Sequence, residues 1–187
     1  MDPVARDILT FWFGTDDLSA PIERRDVWFK STPAFDGELI DRFADVHLRA
    51  LEGAHDHFLD TAAECVALVI ALDQFPRNIY RGTARAFHAD ARARRIARDA
   101  IVRGHDREVV EQARRFFYLP FVHSEDLSDQ DLAVELNRPI ADERTFNSIV
   151  AHRDAIARFG RFPHRNAVLG RQSTPEELEF LKGGRGF

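Results

Sequence analysis

The fold is decided by an almost wholly apolar stretch in the first half of the chain, Thr61-Ala-Ala-Glu-Cys-Val-Ala-Leu-Val-Ile-Ala-Leu-Asp73. It opens with a capping-box pattern, in which the side chains of Thr61 and Glu64 can satisfy amides at a helix N-terminus. Because its body is apolar on nearly all sides, we expect this helix to run to Phe75 and to lie at the centre of the fold. It is far shorter than the roughly 20 apolar residues of a membrane span, so no membrane partner is expected.

The rest of the chain divides into helices at prolines and glycines. Asp2-Pro3 and Thr32-Pro33 each place a capping residue before a proline, which is typical of a helix start. Apolar stripes at helical spacing follow, and no segment shows the alternation of a strand. The sequence therefore predicts a single all-α domain over residues 1–187, a compact array of antiparallel helices with no sheet. Further helices are expected at 90–103, 107–118 (stopping before Pro120), 128–137, 142–159 and from Thr174 to Gly183-Gly184.

Composition places the chain among ordinary globular proteins, with 44% hydrophobic and 30% charged residues. The single Cys65 cannot form an intramolecular disulfide, and no secretory signal opens the chain, so we expect a cytoplasmic protein. Residues 77–115 carry 11 arginines against 5 acidic groups. We interpret this excess as a solvated helix face paired to the acidic N-terminal third, and not as a nucleic-acid site. The sequence leaves the oligomeric state open.

Two charged residues stand where the helical pattern calls for apolar ones. Asp73 lies near the C-terminus of the central helix, where a carboxylate faces the negative end of the helix dipole. Arg153 falls within about 30° of the centre of the apolar face of helix 142–159. Buried charges are rare unless they are paired. We therefore expect a cation beside Asp73, from Arg77, Arg153 or the C-terminal arginines, and an anion beside Arg153.

Three turns combine phenylalanine and proline with polar side chains: Gln74-Phe-Pro-Arg-Asn78, Pro120-Phe-Val-His-Ser-Glu125 and Arg161-Phe-Pro-His-Arg-Asn166. Arginine presents a planar fork that suits a carboxylate or a phosphate. Together with the two misplaced charges, these turns define the candidate ligand-binding residues. They are Asp73, Gln74, Arg77, Asn78, Arg81, His123, Ser124, Glu125, His152, Arg153, Arg161, His164, Arg165 and Asn166.

The same segments carry a resemblance to a known family. The matching stretches are Phe11-Trp-Phe-Gly14, Leu72-Asp-Gln-Phe-Pro-Arg-Asn-Ile-Tyr-Arg-Gly82, Pro120-Phe-Val-His-Ser-Glu125, His152-Arg153 and Phe159-Gly-Arg-Phe-Pro-His-Arg-Asn166. They resemble an uncharacterised bacterial family called domain of unknown function nine-two-four. The resemblance implies a tetratricopeptide-like superhelical fold and no known activity. The chain itself shows no 34-residue tetratricopeptide consensus.

Three functional hypotheses remain open. The polar residues can form a structural ion network that joins helix ends, or they can bind a small anion or an acidic peptide. In the third hypothesis the chain is an enzyme in which His123 and Glu125 exchange protons while Arg153 stabilises an anion. His123, Glu125, His152 and His164 could alternatively ligate a metal, but no established metal motif supports this and the flanking arginines would repel a cation. No cofactor motif is present, so we expect neither a metal nor a cofactor. We interpret the remaining histidines as surface residues: His47, His55, His57, His88 and His105.

Overall fold

A computed structural model describes residues 1–183, so Gly184, the expected end of the last helix, lies outside the described part. Among residues 1–183 the regular structure is helical, with no strand, and the predicted all-α class is confirmed. The α-helices are α1 (Pro3–Phe13), α2 (Pro33–Glu52), α3 (Ala62–Asp73), α4 (Phe75–Ile79), α5 (Asp90–Arg103), α6 (Glu111–Val122), α7 (Leu127–Asn137), α8 (Glu143–Phe159) and α9 (Pro175–Lys182).

The chain forms two compact units. Unit 1 comprises residues 1–81 and 85–120, and unit 2 comprises residues 82–84 and the chain from 121 onward. The single domain over residues 1–187 and the superhelical arrangement stay predictions. No helix within the described range is long and apolar enough to cross a membrane.

Unit 1 is built around α3, as its apolar sequence predicts. Every residue from Cys65 to Asp73 is buried, and α3 contacts α1, α2 and α5. Trp12 of α1 packs against Phe75 and Phe116, with ring centroids 5.9 and 5.8 Å away. Aromatic side chains of this size supply much of a core's apolar area. The core of unit 1 is therefore an aromatic layer on an aliphatic central helix.

The predicted helix starts at Pro3, Pro33 and Ala62 are confirmed by their caps, whereas α6 begins at Glu111 and not at the predicted residue 107. Asp2 accepts a hydrogen bond from the amide of Val4, at 2.7 Å, and Thr32 accepts one from Phe35, at 3.2 Å. Thr61 accepts the amide of Glu64 at 3.4 Å. Such caps each contribute about 1 kcal/mol to helix stability.

Two predicted helix ends at prolines are wrong. The central helix ends at Asp73, and Pro76 lies in the first turn of α4, where a residue without an N–H group costs nothing. Pro120 lies inside α6, which continues to Val122. Gln130 stabilises this extra turn, because its amide donates to the carbonyls at 121, 122 and 124 over 3.2, 2.7 and 2.7 Å.

In unit 2, α7 packs against α8, and α9 contacts the turn at Pro163–Arg165. Asp126 caps α7 and Asp142 caps α8, through bonds of 2.8 and 2.9 Å to Ser128 and Thr145. The predicted capping box at Thr174 is complete, with both the Thr174 and the Glu177 side chains engaged. The core of this unit includes Ala155, Ile156 and Phe162, with Phe180 packed against them.

Candidate functional site

A bidentate ion pair fixes the turn after α8. Arg171 donates to the two carboxylate oxygens of Glu125 over 2.7 and 2.9 Å. The same carboxylate accepts the amide of Phe162 at 2.8 Å, and Arg171 also reaches the Phe162 carbonyl at 3.3 Å. Burial acts to raise the pKa of Glu125, but the bonds from Arg171 and Phe162 outweigh it and lower the pKa. Glu125 is therefore an ionised anchor and is poorly suited to act as a general acid.

Phe162 is the centre of a cluster of nitrogen-bearing side chains. Its ring is fully buried, and the rings of His152 and His164 lie 5.7 and 5.5 Å from it between centroids. The guanidinium carbon of Arg165 lies 4.5 Å from the same ring centroid. His123 acts electrostatically on both imidazoles. We call these five residues the Phe162 cluster.

The imidazoles of this cluster lie in a positive environment. Burial is the main reason that the pKa of His152 falls to about 4, and His123, His164 and Arg165 contribute in the same direction. Burial likewise lowers the pKa of His164 to about 4, with Arg165, Arg171 and His123 acting in the same direction against Glu125. Both rings are consequently neutral at pH 7.

A second ion pair joins this turn to the last helix. Arg161 binds both oxygens of Glu177, at 2.6 and 2.9 Å. Asn166, which is fully buried, donates to Ser173 at 3.0 Å and to Glu177 at 3.2 Å. The bond from Arg161 is the main reason that the pKa of Glu177 falls to about 2. Arg161 and Asn166 thus serve to attach α9.

The predicted cation beside Asp73 is confirmed, and it is Arg77. The Arg77 guanidinium lies 3.3 Å from the fully buried Asp73 carboxylate and binds Asp90 through bonds of 3.0 and 3.1 Å. Gln74 donates to the other oxygen of Asp73 at 2.5 Å. Burial acts to lower the pKa of Arg77, but the two carboxylates raise it. This group is a buried structural network within unit 1.

The remaining candidates of unit 1 are Asn78, which is half-buried, and Arg81, which is exposed. Asn78 donates to Asp36 at 2.7 Å, and Arg81 forms an ion pair with the same carboxylate at 3.2 Å. Ser31 also donates to Asp36, at 2.5 Å. Asn78 and Arg81 therefore act together on one carboxylate of α2.

The expectation that Arg153 is buried is wrong. Its side chain is 37% exposed and forms ion pairs with Asp131 at 2.8 Å and Asp154 at 3.5 Å. The buried face of α8 is centred on Ile149, Ala155 and Ile156, so Arg153 lies at its border. The expected anionic partner is present, but it is a surface carboxylate.

Replacing Arg153 with alanine is therefore expected to leave the free energy of unfolding close to that of the wild type, because exposed ion pairs contribute little. Urea unfolding of R153A beside the wild type measures the change. A loss of several kcal/mol would contradict the surface assignment.

Ser124 is part of the framework and not a nucleophile. It is 1% exposed, and its hydroxyl donates to Asp129 at 2.7 Å. The hydrogen bonds and ion pairs of the described residues thus sort the candidates into separate groups. In unit 1, Asp73, Gln74 and Arg77 form one group, and Asn78 and Arg81 form another. In unit 2, the structure brings together His123, His152, His164 and Arg165 around Phe162.

Sequence reasoning missed several polar residues. His47, His55 and His105, expected at the surface, are 0%, 4% and 9% exposed. The signal for His47 was its position four residues after Phe43, on the apolar stripe of α2. Arg171, which holds Glu125, stands in no motif and had no comparable signal. Across residues 1–183 no group of three or more His, Cys, Asp or Glu side chains is placed to hold a metal ion.

These features define an all-α protein in which most of the conspicuous polar residues form internal ion pairs. The chain belongs to the family described as bacterial protein of unknown function (DUF924), whose model matches residues 8–185. It is similar to the solved structure titled protein of unknown function ATU0120 from Agrobacterium tumefaciens, with 44% identity and a TM-score of 0.89. That similarity covers 96% of this chain and 97% of the other. None of the curated proteins matches the chain.

Proposed function

We propose that this protein binds a small anionic ligand, a carboxylate or a phosphate, at the Phe162 cluster. The observation that carries the proposal is the guanidinium of Arg165, which is 7% exposed and lies 4.5 Å from the Phe162 ring centroid, in the same cluster as the two imidazoles. An anion placed there gains Coulombic attraction and charge-assisted hydrogen bonds, whereas a metal cation is repelled. The acidic-peptide hypothesis belongs to the same proposal, because a peptide carboxylate has the same chemistry. A cytoplasmic location is also part of it.

The surrounding ion pairs support this proposal by fixing the turn that presents Arg165. Glu125 with Arg171 anchors the backbone of Phe162, and Arg161 with Glu177 fixes the preceding residue. Pre-organised side chains lose less conformational entropy when a ligand binds. The structural-network hypothesis thus accounts for these ion pairs. The Phe162 cluster beside them is a better candidate for ligand binding than the paired residues are.

The enzyme hypothesis receives less support. It assigned proton exchange to His123 and Glu125 and anion stabilisation to Arg153. Glu125 is held ionised by Arg171, and Arg153 pairs with Asp131 at the surface. Glu125 and Arg153 are therefore not in the states that their roles in the enzyme hypothesis require.

Substituting Arg165 with glutamine is expected to weaken anion binding by roughly 10- to 100-fold, because a charge-assisted hydrogen bond contributes about 1.5–3 kcal/mol. Glutamine preserves part of the packing on Phe162. Calorimetric titration with sulfate, phosphate, citrate and an acidic peptide measures the affinity. Sulfate keeps its charge from pH 5 to 8 and is the reference probe.

R158Q is the matched control, because Arg158 also lies over a phenylalanine, Phe159, at 4.8 Å and pairs with Glu176. We expect R158Q to bind like the wild type. Equal loss in both variants would show nonspecific charge effects, and the absence of binding to the wild type would overturn the proposal.

A further inference from the structure

A fully buried histidine in unit 1 has a ring nitrogen without a partner. His47 is 0% exposed, and its Nδ1 lies 2.8 Å from the carbonyl oxygen of Ala71. A carbonyl only accepts, so Nδ1 carries the hydrogen and Nε2 carries a lone pair. Nε2 is buried and has no hydrogen-bond partner in the described structure. Leaving such an acceptor unsatisfied costs about 1–3 kcal/mol, so it calls for an explanation.

A second histidine beside it is in the same tautomer. His88 is exposed, and its Nδ1 lies 2.5 Å from the carbonyl oxygen of Arg85. Its Nε2 therefore also carries a lone pair. In histidines that bind metals, one ring nitrogen is the ligand and the other commonly donates a hydrogen bond to a backbone carbonyl. That hydrogen bond orients the ring. Two such imidazoles are adjacent here.

The two rings are close enough for one ion to bridge them, and their planes are nearly perpendicular, at 82°. The ring centroids of His47 and His88 lie 5.4 Å apart. A metal about 2.0 Å from each nitrogen holds the two centroids at most about 6 Å apart. Tyr80 completes the group, with its ring 5.8 Å from His47 and 6.0 Å from His88.

We propose that the Nε2 atoms of His47 and His88 bind a monovalent copper ion beside the Tyr80 ring. Imidazole is a suitable ligand for copper, and Cu(I) is satisfied by two or three ligands. Zn²⁺ takes four ligands as a rule, and the two imidazoles do not supply them. The positive charge of Arg85 also favours a monovalent ion over a divalent one. The guanidinium of Arg85 lies 4.0 Å from the Tyr80 ring centroid and repels a dication twice as strongly as a monocation.

The test is anaerobic titration of the whole chain with Cu(I) in competition with a chromophoric Cu(I) chelator. We expect one equivalent per chain and an affinity at least about tenfold lower in H88A, since each tenfold is 1.4 kcal/mol of lost binding energy. H88A changes an exposed side chain, so the fold is retained. X-ray absorption should show a low-coordinate ion bound by nitrogen.

Two variants serve as controls. H57A removes a histidine that is 54% exposed at another place in unit 1, and it should bind copper like the wild type. C65A removes the single thiol, which is buried and has its pKa raised to about 12 by that burial, and it too should bind normally. The inference is overturned if the wild type retains no copper against the chelator, if H88A binds as tightly as the wild type, if C65A abolishes binding, or if Zn²⁺ binds more tightly than Cu(I).

Discussion

Replacing Arg77 with methionine is expected to lower the free energy of unfolding by about 3–5 kcal/mol, the cost of removing one partner from a buried ion pair. Arg77 lies between the fully buried Asp73 and Asp90, which is 7% exposed. It also donates to the backbone carbonyl of Asp73 at 2.5 Å. Methionine keeps much of the apolar volume but leaves two carboxylates without their cation. The loss is therefore electrostatic and not a cavity effect.

Urea unfolding at pH 7, followed by circular dichroism, measures this change. R81M is the matched control, because Arg81 pairs with Asp36 at the surface with its own side chain 60% exposed. That variant should lose no more than about 1 kcal/mol. Adding D90N to R77M should recover part of the stability, because one uncompensated charge disappears. Equal small losses in R77M and R81M would refute the buried network.

Acidification from pH 7 to pH 5 is expected to cost about 2–4 kcal/mol of folding stability. The folded-state pKa values of His47, His152 and His164 are all lowered from the ordinary value of 6.5, chiefly by burial. The folded state thus binds fewer protons than the unfolded state. The stabilisation is fully present above about pH 6.5 and is lost as the pH falls towards the folded values, which are about 4 for His152 and His164. The stated magnitude allows for the partial solvent exposure of those two rings.

Urea unfolding at pH 7, 6 and 5 tests this dependence. The double variant H152Q/H164Q should show a flatter profile, since two of the groups that take up protons on unfolding are gone. H57Q, which changes an exposed histidine, should keep the wild-type slope. The lowered pKa values of Glu125 and Glu177 add a similar loss only at lower pH, below their ordinary value of 4.5. Constant stability between pH 7 and 5 would contradict the burial of the imidazoles.

The helices could be predicted from the sequence because their ends are set by local chemistry. Asp2, Thr32 and Thr174 cap their helices through bonds to amides two or three residues away. The helix ends predicted at Pro76 and Pro120 were wrong because the effect of a proline depends on its tertiary context. The helix continues past Pro120, and Gln130, a residue of the next helix, binds the carbonyls at 121 and 122 in its last turn. No pattern within α6 itself predicts that bond.

The candidate site was only partly predictable for a similar reason. The polar residues of the Phe-Pro turns fall into separate groups in the structure, whereas Arg77 was named as a partner for Asp73 and is one. A helical wheel cannot fix the centre of a buried face to better than one residue position, which is about 100°. For this reason the sequence predicted a buried Arg153, whereas the structure places it at the surface. The pairing of Glu125 with Arg171 joins residues 46 positions apart and depends on the folded chain.

The aromatic layer of unit 1 has a practical consequence for spectroscopy. Trp12 and Trp28 both lie against Phe116, the latter with ring centroids 5.3 Å apart. They are the two tryptophans of the chain, and its two tyrosines, Tyr80 and Tyr118, belong to the same unit. Intrinsic fluorescence therefore reports on unit 1 alone, whereas the amide signal of circular dichroism comes from the helices of both units. Comparing the two signals during denaturation would show whether the units melt as one cooperative body or in succession.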